Sequence, residues 1–292
     1  MRNETLRTLV RGAYEIQKLR IQTGNRIVAN WKAKAGQAPG EKEEVLNDEG
    51  KKILNVIRLS YSRITDGITK LPTQSQFSGD GVIDDYTELC LVSQYTALEQ
   101  QEKEHFAKLG AIVKKHPLWS EFLEGVNGVG PAMAAVIISE LDPHKATYPS
   151  SFWKYCGLDV CEDGKGRSRK KEHLRTIQYE NKKGEQTERK GITFNPFIKA
   201  KLMGVLASSF LRAGGKSGKG KYAKVYGDYK ERIEHHPIHA EKTKGHRHNM
   251  ALRFMMKAFL LDLHVAWRKL EGLPVSVPHT KTDLTLKQNK NY

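Results

Sequence analysis

Residues 124–141, EGVNGVGPAMAAVIISEL, leave the chain few choices of conformation. Gly128 and Gly130 can both take positive φ without a Cβ clash, and Pro131 fits the first position of a helix. The chain should therefore turn at 128–130 and enter a helix at 131. Phe122, Leu123, Val126 and Val129 before the turn, with Val136 and Ile137 after it, would pack two short helices across it. Ala132, Ala134 and Ala135 permit that approach to be close. This is the pattern of a helix–hairpin–helix, whose glycines present backbone N–H groups at a helix N-terminus, where the dipole favours an anion. A DNA phosphate suits Gly128, Val129 and Gly130, in a contact that carries no base information. A plain αα-hairpin, whose glycines only permit the turn, fits the same residues.

Charge favours the first reading. Lys and Arg outnumber Asp and Glu by 49 to 33, a formal charge of +16 among 292 residues. Such a surplus attracts polyanions in a salt-dependent way. Two basic segments follow the turn, GKGRSRKKEH (164–173) and GGKSGKGKYAK (214–224). Lys165, Arg167, Arg169, Lys170 and Lys171 in the first, and Lys216, Lys219, Lys221 and Lys224 in the second, can track a phosphate backbone. Solvated loops would carry the same composition. Arg247, in HRH (246–248), adds a polar contact on a basic surface. Residues 215–221 satisfy G-x-x-x-x-G-K but lack the following Ser or Thr and a preceding strand, which excludes a nucleotide-binding P-loop. HHPIH (235–239) matches no common zinc spacing, and Cys156 and Cys161 have no partner pair, so no metal is expected. With Cys90, the cysteines number three, which is no disulfide framework. No run approaches the roughly 18 apolar residues of a membrane-spanning helix. MRNETLRTLV lacks the apolar core of a signal peptide. The expected setting is a reducing cytoplasm.

Periodicity predicts a mostly α fold: a helical N-terminal region, then a helical domain containing the hairpin and basic loop insertions. Leu6, Leu9, Ala13, Ile16 and Leu19 recur at three- and four-residue steps in a helix over 4–34. Further helices are predicted at about 42–69 and 84–115. Residues 1–116 then form a helical bundle or coiled-coil-like region, with self-association through it as one possible use. Residues 117–274 form the DNA-binding domain, and 275–292 a polar tail. Within that domain the charged, apolar-poor stretch 161–192 reads as a loop or hairpin arm. Helices are predicted over 195–213, 222–235 and 248–271, and 214–221 as a flexible basic link.

From about 120 to 272 the chain resembles the C-terminal domain of the IS110/IS116/IS902 family of insertion-sequence transposases. GVNGVGPAMAAVIISEL, the spacer DPHKATYPSSFWKYCGL and DGKGRSRK carry the first part of the resemblance. KGITFNPFIKAKLMGVLASSFLR is similar to the family's Gly-Asn-x-x-Leu-Arg helix, and RHNMALRFMMKAFLLDLHVAWRKLEG to its final helix. The resemblance implies DNA transposition and recombination, in a bacterial cytoplasm and in association with the nucleoid. It also implies an N-terminal RuvC-like nuclease domain with four acidic metal ligands, which the helical pattern of the first 115 residues does not match. Asp80, Asp84, Asp85 and Glu88, the one acidic cluster, read instead as capping at a helix start. The family's catalytic serine, in a Ser-Ser-Gly-Gly-Lys-like stretch, is replaced here by Cys161, Glu162 and Asp163, with Ser168 nearby but out of register. Ser168 and Cys161 are thus the candidate nucleophiles if strand chemistry survives, and Mg would be needed only for a nuclease activity present or supplied in trans. The expectation is a transposase-like protein that binds DNA. An RNA-binding or scaffold protein derived from a transposase, acting on a structured RNA without catalysis, is the alternative.

Overall fold

The computed structural model describes residues 3–37, 47–217 and 220–275. The tail from 276, the link at 38–46 and Lys219 lie outside the described residues. Secondary structure is overwhelmingly helical, and the chain divides into two compact units, one of residues 8–109 and one from residue 110 onward together with the first turns of α1. Among the described residues no helix is long and apolar enough to cross a membrane.

The first unit is built from α1 (Asn3–Lys34), α2 (Asp48–Ile64) and α3 (Tyr86–Lys114). Its core joins Ile27 and Val28 of α1, Leu54 and Ile57 of α2, and Ile83, Leu89, Val92 and Tyr95 at and before α3. α2 is shorter than the 42–69 read from periodicity. Asn47 caps it, its side chain accepting from the Gly50 N–H at 2.7 Å. At the other end Thr65 turns its hydroxyl back to the Tyr61 carbonyl, and 65–69 leave the helix.

The second unit is organised around α4 (Pro131–Glu140), buried from Met133 to Glu140. That explains why its sequence is apolar all round rather than striped. A π-helical turn, Trp119–Leu123, precedes it, and α5 (Pro149–Tyr155) follows. The charged arm 161–192 contains an antiparallel hairpin, β1 (Arg175–Glu180) with β2 (Gln186–Gly191), Arg175 opposite Gly191. Next, α6 (Pro196–Ala200) runs through a π-helical segment, Lys201–Leu206, into α7 (Ala207–Ser217). α7 therefore extends past the 213 predicted from sequence. Gly214 lies where a Cβ would meet that of Ala223 at 2.1 Å, so the glycine lets α7 and α8 (Lys221–Glu234) close on each other. After α9 (Pro237–Ala240), the long α10 (Lys244–Leu270) supplies Met255, Met256, Phe259, Leu260 and Leu263 to the core. There Phe210 stacks on Tyr222 with ring centroids 4.8 Å apart, and Phe259 meets both rings edge-on at 5.3 and 5.4 Å.

Candidate nucleic-acid interface

The two hairpin glycines differ. Gly128 has φ +101° and is packed inward: a Cβ on it would lie 2.9 Å from Phe210 Cδ1 and 3.3 Å from the backbone at 209–210. Its carbonyl accepts the Ser209 hydroxyl at 2.8 Å. Gly130 does not use positive φ, contrary to the sequence expectation. It takes an extended conformation (φ −94°, ψ 169°) as the N-cap of α4, with Pro131 at the first helical position and no side-chain cap. Gly130 is exposed, with open space where a Cβ would be. The first N–H groups of a helix have no intrahelical partner, and among the described residues those of Gly130 and Ala132 find none elsewhere. Val129, between the glycines, is buried.

The loop before α4 also forms one wall of a cleft of about 290 Å³. Phe122, Gly125 and Asn127 face Lys221 and Tyr222 of α8 across it. The structure thus brings the second basic segment to the loop that precedes α4. Lys221 is ion-paired with Asp262 at 2.7 Å, and Lys224 with Asp228 at 2.8 Å.

The first basic segment folds on a tight turn. Cys161 N–H donates to the Lys165 carbonyl at 2.8 Å, and Val160 bridges Gly166. Arg167 is committed inside the fold, to Asp159 at 2.6 Å and to the His173 carbonyl at 3.3 Å. Lys165, Arg169, Lys170 and Lys171 are exposed. Arg247 holds the turn before α10, donating to the carbonyls of Ala240 (2.7 Å) and Lys242.

Ser168 has company that the sequence did not reveal. Its Oγ lies 2.7 Å from His173 Nδ1, and His173 Nε2 lies 3.2 Å from Asp163 Oδ2. The Ser168 backbone N–H also donates to Nδ1 at 3.0 Å. Nδ1 is therefore the bare nitrogen, Nε2 carries the hydrogen toward Asp163, and the Ser168 hydroxyl donates to Nδ1. Asp163 is held below the usual carboxylate range by the Lys165 N–H, then by His173. His173 is buried. Serine, base and orienting carboxylate are in the order that activates a nucleophile. The same contacts close the loop from 161 to 173, and the Ser168 oxygen accepts the Lys170 N–H at 3.3 Å. Cys161 is half-exposed, in the turn.

The acidic cluster of the first unit does not fit the metal centre that the resemblance implies. Asp80 accepts from the N–H groups of Val82 and Ile83 and from the Ser60 hydroxyl. Asp85 accepts from Thr87 N–H. Glu88 is taken by Asp84 N–H, Asn30 and Lys34, and Asp84 by Lys34. Their oxygens serve turns, a helix start and ion pairs. Among the described residues no group of three or more His, Cys, Asp or Glu could hold an ion.

Residues 120–182 match the family model described as Transposase IS116/IS110/IS902 family. The matched span contains the hairpin, α4, α5, the Cys161 turn and the Ser168–His173–Asp163 contacts. The transposase-like character of this segment therefore stands on the family match as well as on the quoted motifs. The match ends at Lys182, so the likeness of 190–212 and 247–272 to the transposase family rests on their residues alone. No curated protein and no solved structure matches the chain.

Proposed function

We propose that the chain is a DNA-binding protein of a mobile element that holds duplex phosphates at the N-terminus of α4. The observation that carries this reading is the open helix start within the transposase-like segment. There, among the described residues, the N–H groups of Gly130 and Ala132 lack partners, and open space lies where a Gly130 Cβ would be. An anion at that end gains both the N–H groups and the helix dipole. Exposed Lys165, Arg169, Lys170 and Lys171, and the +16 net charge, add salt-sensitive attraction along the backbone. Gly128 contributes by shape rather than contact: only a glycine lets the turn lie on Phe210.

The test is fluorescence anisotropy of a labelled duplex across a salt series, with wild type beside Gly130→Asp. Wild type is expected to bind with a steep negative slope of log K against log salt. The variant, which puts a carboxylate on the phosphate position, should lose about tenfold or more in affinity. Equal binding by the two proteins would reduce the hairpin to a turn. Tighter binding of a structured RNA than of duplex DNA, with Gly130→Asp unimpaired, would favour the RNA-binding alternative.

A second reading, a recombinase, is favoured by the 2.7 Å Ser168–His173 contact. In it, Ser168 Oγ attacks phosphorus while its proton passes to His173 Nδ1. A P–Oγ bond forms, the P–O bond to a deoxyribose oxygen breaks, and the proton passes to that leaving oxygen. Asp163 keeps His173 in the required tautomer. Ser168→Ala and His173→Gln should each abolish nicking of supercoiled plasmid and the covalent protein–DNA adduct while leaving affinity unchanged. Wild type that neither nicks nor forms an adduct would confine Ser168 to closing its loop.

A further inference from the structure

Three cations lie half-buried beside the Cys161 turn, none of them in an ion pair among the described residues: Lys199 of α6, and Arg253 and Lys257 of α10. The Arg253 guanidinium occupies the space that a side chain at 166 would need, 1.9 Å from where a Cβ on Gly166 would stand. Lys199 Nζ donates to the Arg167 carbonyl and lies 4.7 Å from the Phe194 ring centroid. Lys257 Nζ lies 5.5 Å from the Trp153 centroid, and the Trp153 indole N–H donates to the Lys257 carbonyl at 3.1 Å. Among the described residues the carboxylate that acts on all three is Asp159, and its Oδ2 is taken by Arg167 at 2.6 Å. Among the described residues Arg253 has no hydrogen-bond or ion-pair partner, and neither lysine has an ion pair.

Such an arrangement is costly as it stands. Buried charge is normally paired, yet here like charges are gathered. Burial first, then the charge of Arg253, holds both lysines below their ordinary range, and burial lowers Arg253 itself. Lys165 and His246 also lie within electrostatic reach of this group, since Arg253 and Lys165 both lower His246 after burial and Lys242. Counted against Asp159, the three cations and Arg167 leave an excess of positive charge in a half-dry place, next to the exposed basic segment. Unpaired charge of this kind marks a site that is completed by an anion.

We propose that Lys199, Arg253 and Lys257 form a binding site for one phosphodiester of the bound DNA strand, with Gly166 kept small to admit the Arg253 guanidinium. The site rests on the DNA-binding reading above and is separate from the α4 helix start. Arg253 supplies the planar donors and the two lysines the point charges around it. Exposed Lys165 at its edge steers the strand in.

Arg253→Met and Lys257→Met test this by removing the charge while keeping an unbranched apolar side chain at each position. Lys183→Met, at the exposed tip of the β1–β2 hairpin, controls for the loss of one charge. Two readouts separate the site from the wider reading: duplex affinity across a salt series, and thermal unfolding with inorganic pyrophosphate against chloride at matched ionic strength. Each Met variant of the trio is expected to bind duplex about tenfold or more weakly with a slope shallower by about one, well beyond the effect of Lys183→Met. Pyrophosphate should raise the melting temperature of wild type and not of these variants. Without any anion the variants should melt higher than wild type, because they relieve repulsion; a merely structural role would lower it. Steep duplex binding by wild type with unchanged slopes in both trio variants, or losses no larger than for Lys183→Met, would overturn the site and leave the DNA reading standing. Pyrophosphate stabilising wild type and variants alike would overturn the site as well. If wild type binds no duplex but its pyrophosphate response is lost in the variants, the DNA reading fails, and a DNA phosphate as occupant fails with it.

Discussion

Gly128 and Gly130 stand two residues apart and are glycines for different reasons. Gly128 needs its left-handed φ of +101° and has the Phe210 ring where a methyl would go. Gly128→Ala should therefore cost about 1–3 kcal/mol in urea denaturation. Gly130→Ala, in extended backbone with open space, should cost under about 1 kcal/mol. Equal losses would mean that the turn is not built on Phe210. The pattern GVGP marked this place in the sequence, and the turn and the helix start lie where it put them. The division of labour between the glycines was not legible, because it depends on Phe210, 82 positions away from Gly128 by their residue numbers. The Ser168 contacts were hidden for a similar reason. Asp163 and His173 flank Ser168 by five residues on either side, a spacing with no helical or strand meaning until the Cys161 turn folds them together.

At the scale of elements, α4 and α6 are tied by one buried pair. Asn195 caps α6, its Oδ1 accepting from Phe197 N–H at 3.0 Å, while its Nδ2 donates to Glu140 Oε2 at 2.5 Å at the end of α4. The Glu140 side chain is fully buried. Asn195→Ala loses a cap and a hydrogen bond to a buried charge, together about 2–4 kcal/mol. Asn195→Asp keeps the cap but sets two carboxylates against each other. At neutral pH it should be the less stable variant, recovering as the pH falls; equal stability at pH 7 would show that only the cap matters. The long helices were legible because their apolar residues recur at helical steps. The hairpin β1–β2 gave no such signal: it is exposed on nearly all its residues, so neither face alternates, and only its charge read as an arm. Arg253 and Lys257 did leave a trace. They sit four residues apart on the apolar α10 stretch ALRFMMKAFLLDLH, where cations on a buried face call for a partner.

For the molecule as a whole, pH acts through buried histidine as well as through the charge that draws DNA. His264 is fully buried, its Nε2 donating to the Ala146 carbonyl at 2.7 Å. Burial lowers its pKa, partly opposed by that hydrogen bond and helped by Arg268; burial lowers His116 in the same direction. A histidine whose folded pKa lies below its unfolded value of about 6.5 contributes stability that is present above that value and lost as the pH falls through and below it. The melting temperature of the second unit should thus fall from pH 7.5 to pH 5. His264→Gln, which can keep the bond to Ala146, should flatten that dependence, and an unchanged slope in the variant would place its origin elsewhere.

The most direct measurement of where DNA sits is hydrogen–deuterium exchange of the full chain with and without a short duplex at low salt. Slowed exchange at 125–134, with further protection at 159–171, and unchanged rates in α2 are the predicted result. Protection confined to the helices of residues 8–109, with 125–134 exchanging as in the free protein, would contradict a phosphate grip at the start of α4.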